Sequence, residues 1–264
     1  MNLFWRELKA HRKSLFFWIV GIAAIVGGGM GEYSAMSGSG GAMNELFADM
    51  PRALRAVMGV GELDLATVSG YYGMLFLYLL LMAAVHASML GANIVSKEER
   101  DKTSEFLLVK PISRSGMLAS KLLAAVVILL IFNAAMFICS YAFVRYQVGG
   151  AEATGDIALL LLGMLLVQFV FMGVGAAIAG ATTRPKRAVS LSTGIMLLTF
   201  LLSIAIDISG RIDYLRYLTP FKYADAARLM GEGLDIGVAA IALVIIAVSF
   251  AIAFAGFKRR DLSL

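Results

Sequence analysis

Residues 71–114, which read YYGMLFLYLLLMAAVHASMLGANIVSKEERDKTSEFLLVKPISR, decide the fold. The first 25 of them, 71–95, contain no Asp, Glu, Lys or Arg, and about 20 apolar residues are enough for a helix to cross a bilayer. A densely charged connector follows, and it stops at Pro111 because proline disfavours helical geometry at the residue before it. The pattern predicts a membrane helix and then a short helix at about 97–110, with Ser96 as its N-cap and acidic residues in its first turn.

Apolar helices account for most of the chain. Of its 264 residues 60% are hydrophobic, compared with roughly 45–50% in a soluble domain, and the mean hydropathy is +0.83. Apolar runs lie at about 14–31, 71–95, 117–144, 157–181, 188–206 and 236–257. We therefore expect an all-α integral membrane protein with six transmembrane helices in a single domain, residues 1–264. The lone cysteine, Cys139, cannot form an internal disulfide.

Basic residues are distributed unevenly between the two sides of such a bundle. Six spans place both termini on one side of the membrane. If that side is the cytoplasm, the inner segments hold 16 of the 23 basic residues and 6 of the 18 acidic ones. The net charge is then +10 inside and −5 outside. The positive-inside rule therefore predicts cytoplasmic N and C termini.

Two segments next to the spans have an amphipathic pattern. In a helical projection of residues 2–13, one side holds Phe4, Leu8, His11 and Leu15, and the other holds Arg6, Lys9 and Lys13. This pattern is typical of an interface helix, and the alternative is a basic flank that only fixes orientation. Aromatic residues lie among charged ones at about 207–235, which predicts short helices at the outer interface.

The charged connector contains a recognisable motif. A glutamate and an arginine precede Thr-x-Glu-x-Leu-Leu, and Pro-Ile-Ser-Arg closes the run. It resembles the first cytoplasmic loop of ATP-binding-cassette (ABC) transporter permeases of the type-two export family. The matching residues, with the apolar Phe106 beside them, are Glu98, Glu99, Arg100, Thr103, Glu105, Leu107, Leu108, Pro111, Ile112, Ser113 and Arg114. In that family this loop is a coupling helix that touches the ATPase.

A second, shorter match lies before the last span. Residues 218–223 contain Pro220, Phe221 and Tyr223, which resemble the Pro-Phe-x-Tyr run of the export permeases. In that family the segment dips into the bilayer and closes the transport path from outside. The resemblance therefore implies an outer gate at these residues.

The resemblance implies a function and a set of partners. The chain would be the permease subunit of an ATP-driven exporter in the plasma membrane, moving an unidentified substrate by alternating access. Two copies of a cytoplasmic ABC ATPase would bind ATP and Mg²⁺, since this sequence has no Gly-x-x-x-x-Gly-Lys-Ser/Thr motif. A second permease, identical or homologous, would complete the path. We expect no cofactor or metal on this chain and no nucleic-acid partner.

Polar residues inside the spans have two interpretations. His86, Asn93, Asn133 and Gln168 would either line the substrate path or hold helices together. Lys121 lies near the end of a span, where its long side chain is expected to reach the membrane surface. The small residues of the fourth span predict close helix packing, and they are Gly173, Gly175, Ala176, Ala177, Ala179 and Gly180.

Two other functional classes are alternatives to an ABC permease. Glu98 and Glu99 resemble the start of the Glu-Glu-x-x-x-Arg motif of intramembrane proteases, but the position that needs Arg holds Thr103. The chain has only two histidines, which makes a catalytic metal cluster a poor expectation. A secondary transporter needs acidic residues within its spans for ion coupling, and the apolar runs lack them. Both remain alternatives to the ATP-driven permease.

The predicted topology can be tested by cysteine labelling in a Cys139→Ala background. Single cysteines in place of Ser39 and Ser209 should react with a membrane-impermeant thiol reagent in intact cells, because both positions are expected outside. A cysteine in place of Ser104 should react only after the membrane is opened. Labelling at position 104 in intact cells would contradict the predicted orientation.

Overall fold

The computed structural model describes residues 3–36, 42–101, 113–148, 153–182 and 184–259. These residues are almost entirely helical, and the described part contains no strand. The helices are α1 (Leu3–Met36), α2 (Ala42–Ala48), α3 (Arg52–Met58), α4 (Val68–Arg100), α5 (Arg114–Val148), α6 (Thr154–Ala181), α7 (Pro185–Ser209), α8 (Ala226–Glu232) and α9 (Ile236–Arg259). Two 3₁₀ helices, Asp213–Leu218 and Pro220–Ala224, lie between α7 and α8.

Six of these helices are long and apolar enough to cross a membrane, which confirms the predicted number. They are α1, α4, α5, α6, α7 and α9. Successive spans run in opposite directions. The bundle therefore has a terminal end, where α1, α5 and α7 begin and α4, α6 and α9 end, and an opposite end, which carries α2, α3, the 3₁₀ helices and α8.

The predicted interface helix at residues 2–13 does not form a separate element. α1 runs without a break from Leu3 to Met36, so the amphipathic segment and the first span are one helix. Side chains of neighbouring helices pack on Gly21, Gly27 and Gly29 of this helix. A Cβ added at Gly27 would lie 2.8 Å from the ring of Phe143 in α5. The absence of a side chain at Gly27 therefore allows Phe143 of α5 to pack against α1.

The prediction that Ser96 starts a new helix is wrong. α4 continues through Ser96 to Arg100, and the Ser96 hydroxyl donates to the Ala92 carbonyl at 2.7 Å. No helix-breaking residue separates the apolar run from the first charges, so Glu98 and Glu99 lie in the last turn of α4, not in the first turn of another helix. Residues 102–110 of the predicted coupling helix lie outside the described residues.

Helix α6 packs closely on both α4 and α9. A Cβ at Gly175 of α6 would lie 2.6 Å from the Ser88 carbonyl oxygen of α4, and one at Gly180 would lie 2.8 Å from the Ala253 carbonyl oxygen of α9. Backbones can come this close only where side chains are absent. The small-residue face predicted for the fourth span is therefore confirmed as a packing surface.

The glycine contacts predict a specific stability difference. Gly91→Ala in α4 should destabilise the fold by about 1–3 kcal/mol, because its Cβ would overlap the Met172 carbonyl of α6 and force the two backbones apart. Gly194→Ala in α7 is the matched control, since nothing lies within 4 Å of its added Cβ. Thermal unfolding of the two variants in detergent compares them. Equal midpoints would show that α4 and α6 tolerate a wider separation.

Candidate functional site

Five charged side chains meet where α1, α4 and α5 come together at the terminal end. This terminal ionic cluster consists of Arg6, Glu7, Lys97, Glu98 and Lys121. Glu7 and Lys121 are fully buried, and Glu98 is 8% exposed. A charge buried this deeply costs several kcal/mol unless it has a partner of opposite sign. The cluster is therefore stable only as a set.

Each carboxylate of the cluster binds two cations. Glu7 accepts from Arg6 at 2.9 Å and from Lys97 at 3.1 Å. Glu98 accepts from Arg6 at 2.8 Å and from Lys121, whose ammonium also donates to a backbone carbonyl of α4 at 2.8 Å. Because Arg6 contacts both carboxylates, the network is continuous from α1 through α4 to α5.

The placement of Lys121 corrects the sequence prediction. Its side chain does not reach the membrane surface: it is fully buried and points into the bundle, to Glu98. Glu7, its indirect partner, belongs to no motif and is absent from the residues predicted above. A sequence signal for the pair does exist. Glu7 is the only acidic residue before Glu32, and Lys121 is the only charged residue within 115–144.

The structure describes the start of the charged connector at the end of α4. Both Glu98 oxygens are engaged by the ionic cluster, which indicates that this residue positions helices. Glu99 is half-buried beside it. Arg100 donates to the side chain of Asn93 at 2.8 Å, so this predicted path-lining residue lies near the terminal end and supports the last turns of α4.

The connector returns to the bundle at α5. There the Arg114 guanidinium donates to the Lys258 carbonyl at 3.3 Å and joins the start of α5 to the end of α9. Both ends of the connector are thus attached to helices of the bundle. The remaining predicted coupling residues lie outside the described residues, and they are Thr103, Glu105, Phe106, Leu107, Leu108 and Pro111. Their role stays a prediction.

The other polar residues predicted to line a path lie in contacts between helices. His86 of α4 is 5% exposed and sits between Trp18 and Phe132, with ring centroids 5.2 and 4.7 Å away. Asn133 of α5 donates to the side-chain oxygen of Gln168 in α6. These contacts support the helix-holding interpretation, and a path-lining role stays a prediction.

The segment predicted as an outer gate is inserted into the bundle at the opposite end. Pro220, Phe221 and Tyr223 are buried in the second 3₁₀ helix. The Phe221 ring packs against Phe171 of α6 at 5.3 Å and against Phe200 of α7 at 5.1 Å. The segment therefore packs between two spans through aromatic contacts. Its function as a gate stays a prediction.

Sequence comparison assigns the family. The sequence profile described as ABC-2 family transporter protein matches residues 1–262. The chain belongs to this family. It is therefore a membrane permease of an ABC transporter, and the resemblance found in the connector is confirmed at the level of the family. A comparison with curated proteins finds no significant match.

Family membership determines what kind of component this ABC-2 permease is. Such a permease is the membrane part of a transporter and associates with an ABC ATPase. The terminal ionic cluster lies at the end of the bundle where the connector leaves and returns. It is thus the best candidate within the described residues for holding a coupling element in position.

The ionic cluster of the ABC-2 permease should be essential for its stability. Lys121→Met preserves the length of the side chain but leaves Glu98 without its buried cation, and should cost about 3–5 kcal/mol. The matched control is Lys9→Met on the exposed face of α1, which should stay within about 0.5 kcal/mol. Unfolding in detergent measures both. Glu98→Gln combined with Lys121→Met should recover part of the loss, and failure of Lys121→Met to differ from the control would contradict the role of the cluster.

Proposed function

We propose that this ABC-2 permease exports its substrate across the plasma membrane by alternating access, powered by ATP hydrolysis on a separate subunit. The match to the ABC-2 family over residues 1–262 is the observation that carries the proposal. Six membrane-crossing helices supply the transport domain. ATP and Mg²⁺ would bind to the partner, because the chain lacks a phosphate-binding Gly-x-x-x-x-Gly-Lys-Ser/Thr loop.

The terminal end of the bundle faces the cytoplasm in this proposal. The uneven charge supports this orientation, with a net +10 on the segments at that end. Both termini and the charged connector are then on the side where ATP is available. The segment around Phe221 faces outward and acts as the external gate.

Coupling of the ATPase to the membrane helices requires a connector whose two ends are fixed to the helix bundle. The ionic cluster joins α4, where the connector starts, to α1 and α5, and Arg114 joins its return point to α9. A displacement of the connector by the ATPase would therefore pass to four helices together. The apolar residues Leu107 and Leu108 would anchor the connector in the ATPase, with roughly 1.5–3 kcal/mol for each fully buried side chain.

The complete transporter contains two ATPase copies and a second permease, identical or homologous, in this proposal. Large apolar side chains cover the outer faces of two spans, which supports contacts with lipid or a second permease. They are Leu191, Leu198 and Leu201 on α7 and Leu243, Val244 and Val248 on α9. The family match favours this function over a protease or a secondary transporter.

The coupling proposal can be tested in vesicles that contain the permease and its ATPase. Leu107→Asp would place a charge in the proposed contact, and Glu105→Lys would reverse one. Each should release the ATPase or separate ATP hydrolysis from substrate movement. Leu107→Met and Glu105→Gln are the conservative controls and should keep most of the activity.

Hydrolysis and substrate movement are measured together, with copurification of the ATPase as the binding readout. The membrane domain should fold in all four variants, since neither residue lies in a span. Normal binding and transport by Leu107→Asp and Glu105→Lys would show that the connector does not couple the two subunits.

A further inference from the structure

A cavity of about 570 Å³ opens at the opposite end of the bundle, far from the ionic cluster. Its walls are α3, the first half of α4, the end of α7 and the segment 213–228. This volume is in the range of small-molecule sites, which are commonly 300–1,000 Å³. The function proposed above gives the Phe221 segment in its wall a gating role but assigns the cavity no ligand.

Two of the cations in the wall are engaged by three of its carboxylates. Lys222 pairs with Asp207 at 2.5 Å and with Asp225 at 2.8 Å, and Arg228 pairs with Asp213 at 3.1 Å. Burial opposes the charged forms of Lys222 and Asp225, but the attraction between their opposite charges is larger. This attraction raises the pKa of Lys222 and lowers the pKa of Asp225. These side chains are therefore committed to holding the wall together.

Two guanidinium groups in the wall are left over. In the part of the chain that the structure describes, neither Arg52 nor Arg55 pairs with a carboxylate. The Nε of Arg55 is inaccessible to solvent and has no hydrogen-bond partner among the described residues. Arg52 donates to the Asp207 backbone carbonyl at 3.1 Å, and its other donors have no hydrogen bond to another described residue. Glu62, the remaining carboxylate of the wall, is exposed, and with it the four cations of the wall equal its four carboxylates in number. The two arginines therefore differ from the other cations in their lack of an ion pair among the described residues, not in a net charge of the wall.

The local fold aims both groups at the cavity. Arg52 and Arg55 are three residues apart on α3 and so lie on one face of that helix. Gly210 ends α7 with φ of +62°, and any side chain there would overlap the Arg52 guanidinium. The glycine thus serves both the left-handed helix end and the seat of the arginine.

The rest of the cavity is apolar. Phe76, Leu77 and Leu80 of α4 and Phe221 of the gate segment line its inner part. On the outside, α3 exposes Leu54, which suits a helix lying at the membrane surface. The cavity thus combines an apolar floor with two guanidinium groups that have no ion pair within the described part of the chain.

We propose that this cavity binds an amphiphile with an anionic phosphate or carboxylate group, held by Arg52 and Arg55 above the apolar floor. Guanidinium groups match the oxygen geometry of both anions and bind them through paired hydrogen bonds. The apolar part of the ligand occupies the space beside Phe76 and Leu80, and its removal from water stabilises the complex. The site is independent of ATPase coupling.

The test uses the purified full-length chain in an uncharged detergent, with binding measured by native mass spectrometry and calorimetry. The probes are short-chain phosphatidylglycerol, short-chain phosphatidylcholine and inorganic phosphate. Phosphatidylglycerol should bind in a one-to-one ratio and more tightly than either of the others, because it has both a net negative charge and an apolar body. Equal binding of inorganic phosphate would reassign the cavity to free anions and overturn the amphiphile site.

Charge variants then locate the site. Arg52→Gln with Arg55→Gln should weaken phosphatidylglycerol binding roughly tenfold or more. Arg145→Gln with Arg211→Gln removes the same net charge from exposed positions outside the cavity and should leave binding unchanged. Glu62→Gln should strengthen binding, since it removes the competing carboxylate.

A conservative pair keeps the result interpretable if the glutamine variant folds poorly. Arg52→Lys with Arg55→Lys retains the charge but loses the paired donors, so its loss should be smaller than that of the glutamine variant. Loss of binding by the glutamine variant and by the exposed control alike would overturn the assignment. Failure of ATPase coupling in the earlier experiment would not alter any of these outcomes.

Discussion

Opposite charges buried between α1, α4 and α5 constrain the whole terminal end of this permease. Glu7 and Lys121 have no contact with solvent, so neither can ionise in isolation at an acceptable free energy. Arg6 and Glu98 connect them, and the three helices can separate only by exposing unpaired charges to a poorly polar interior. The positions of the N-terminus, the end of α4 and the start of α5 therefore depend on one another.

This dependence matters for coupling because of where the cluster lies. α4 ends two residues after Glu98, and α5 begins at Arg114, two helical turns before Lys121. In the proposed function, the element that meets the ATPase is held by ion pairs at its base. Separating a buried ion pair leaves a charge without a partner and costs several kcal/mol, so this joint resists displacement of one helix against another.

The sequence predicted the large-scale architecture well because long apolar runs have few alternatives. The spans, their number and the packing face around Gly175 followed from length and residue size. Helix boundaries near charges were less predictable: the apolar run before Ser96 and the charges after it form one helix, since nothing in the backbone breaks it. The interface helix merged with the first span for the same reason.

Only part of the candidate site could be predicted from the sequence. The motif pointed to Glu98 and its neighbours, but the partners of Glu98 come from residues more than 20 positions away, and such pairing has no local pattern. The cavity shows the same limit. Arg52, Asp207 and Lys222 are far apart in sequence, and only the fold reveals which cations already have a carboxylate and which do not.

The glycine contacts of α6 have a mechanical consequence. α4 has 33 residues and is therefore about 50 Å long, well beyond the roughly 30 Å hydrocarbon core of a bilayer. The backbones of α4 and α6 are in direct contact, as are those of α6 and α9, so no side-chain layer that could deform separates these helices. The three helices therefore form a stiff unit. A tilt of about 5° applied at one end would shift the other by about 4 Å over a lever of this length.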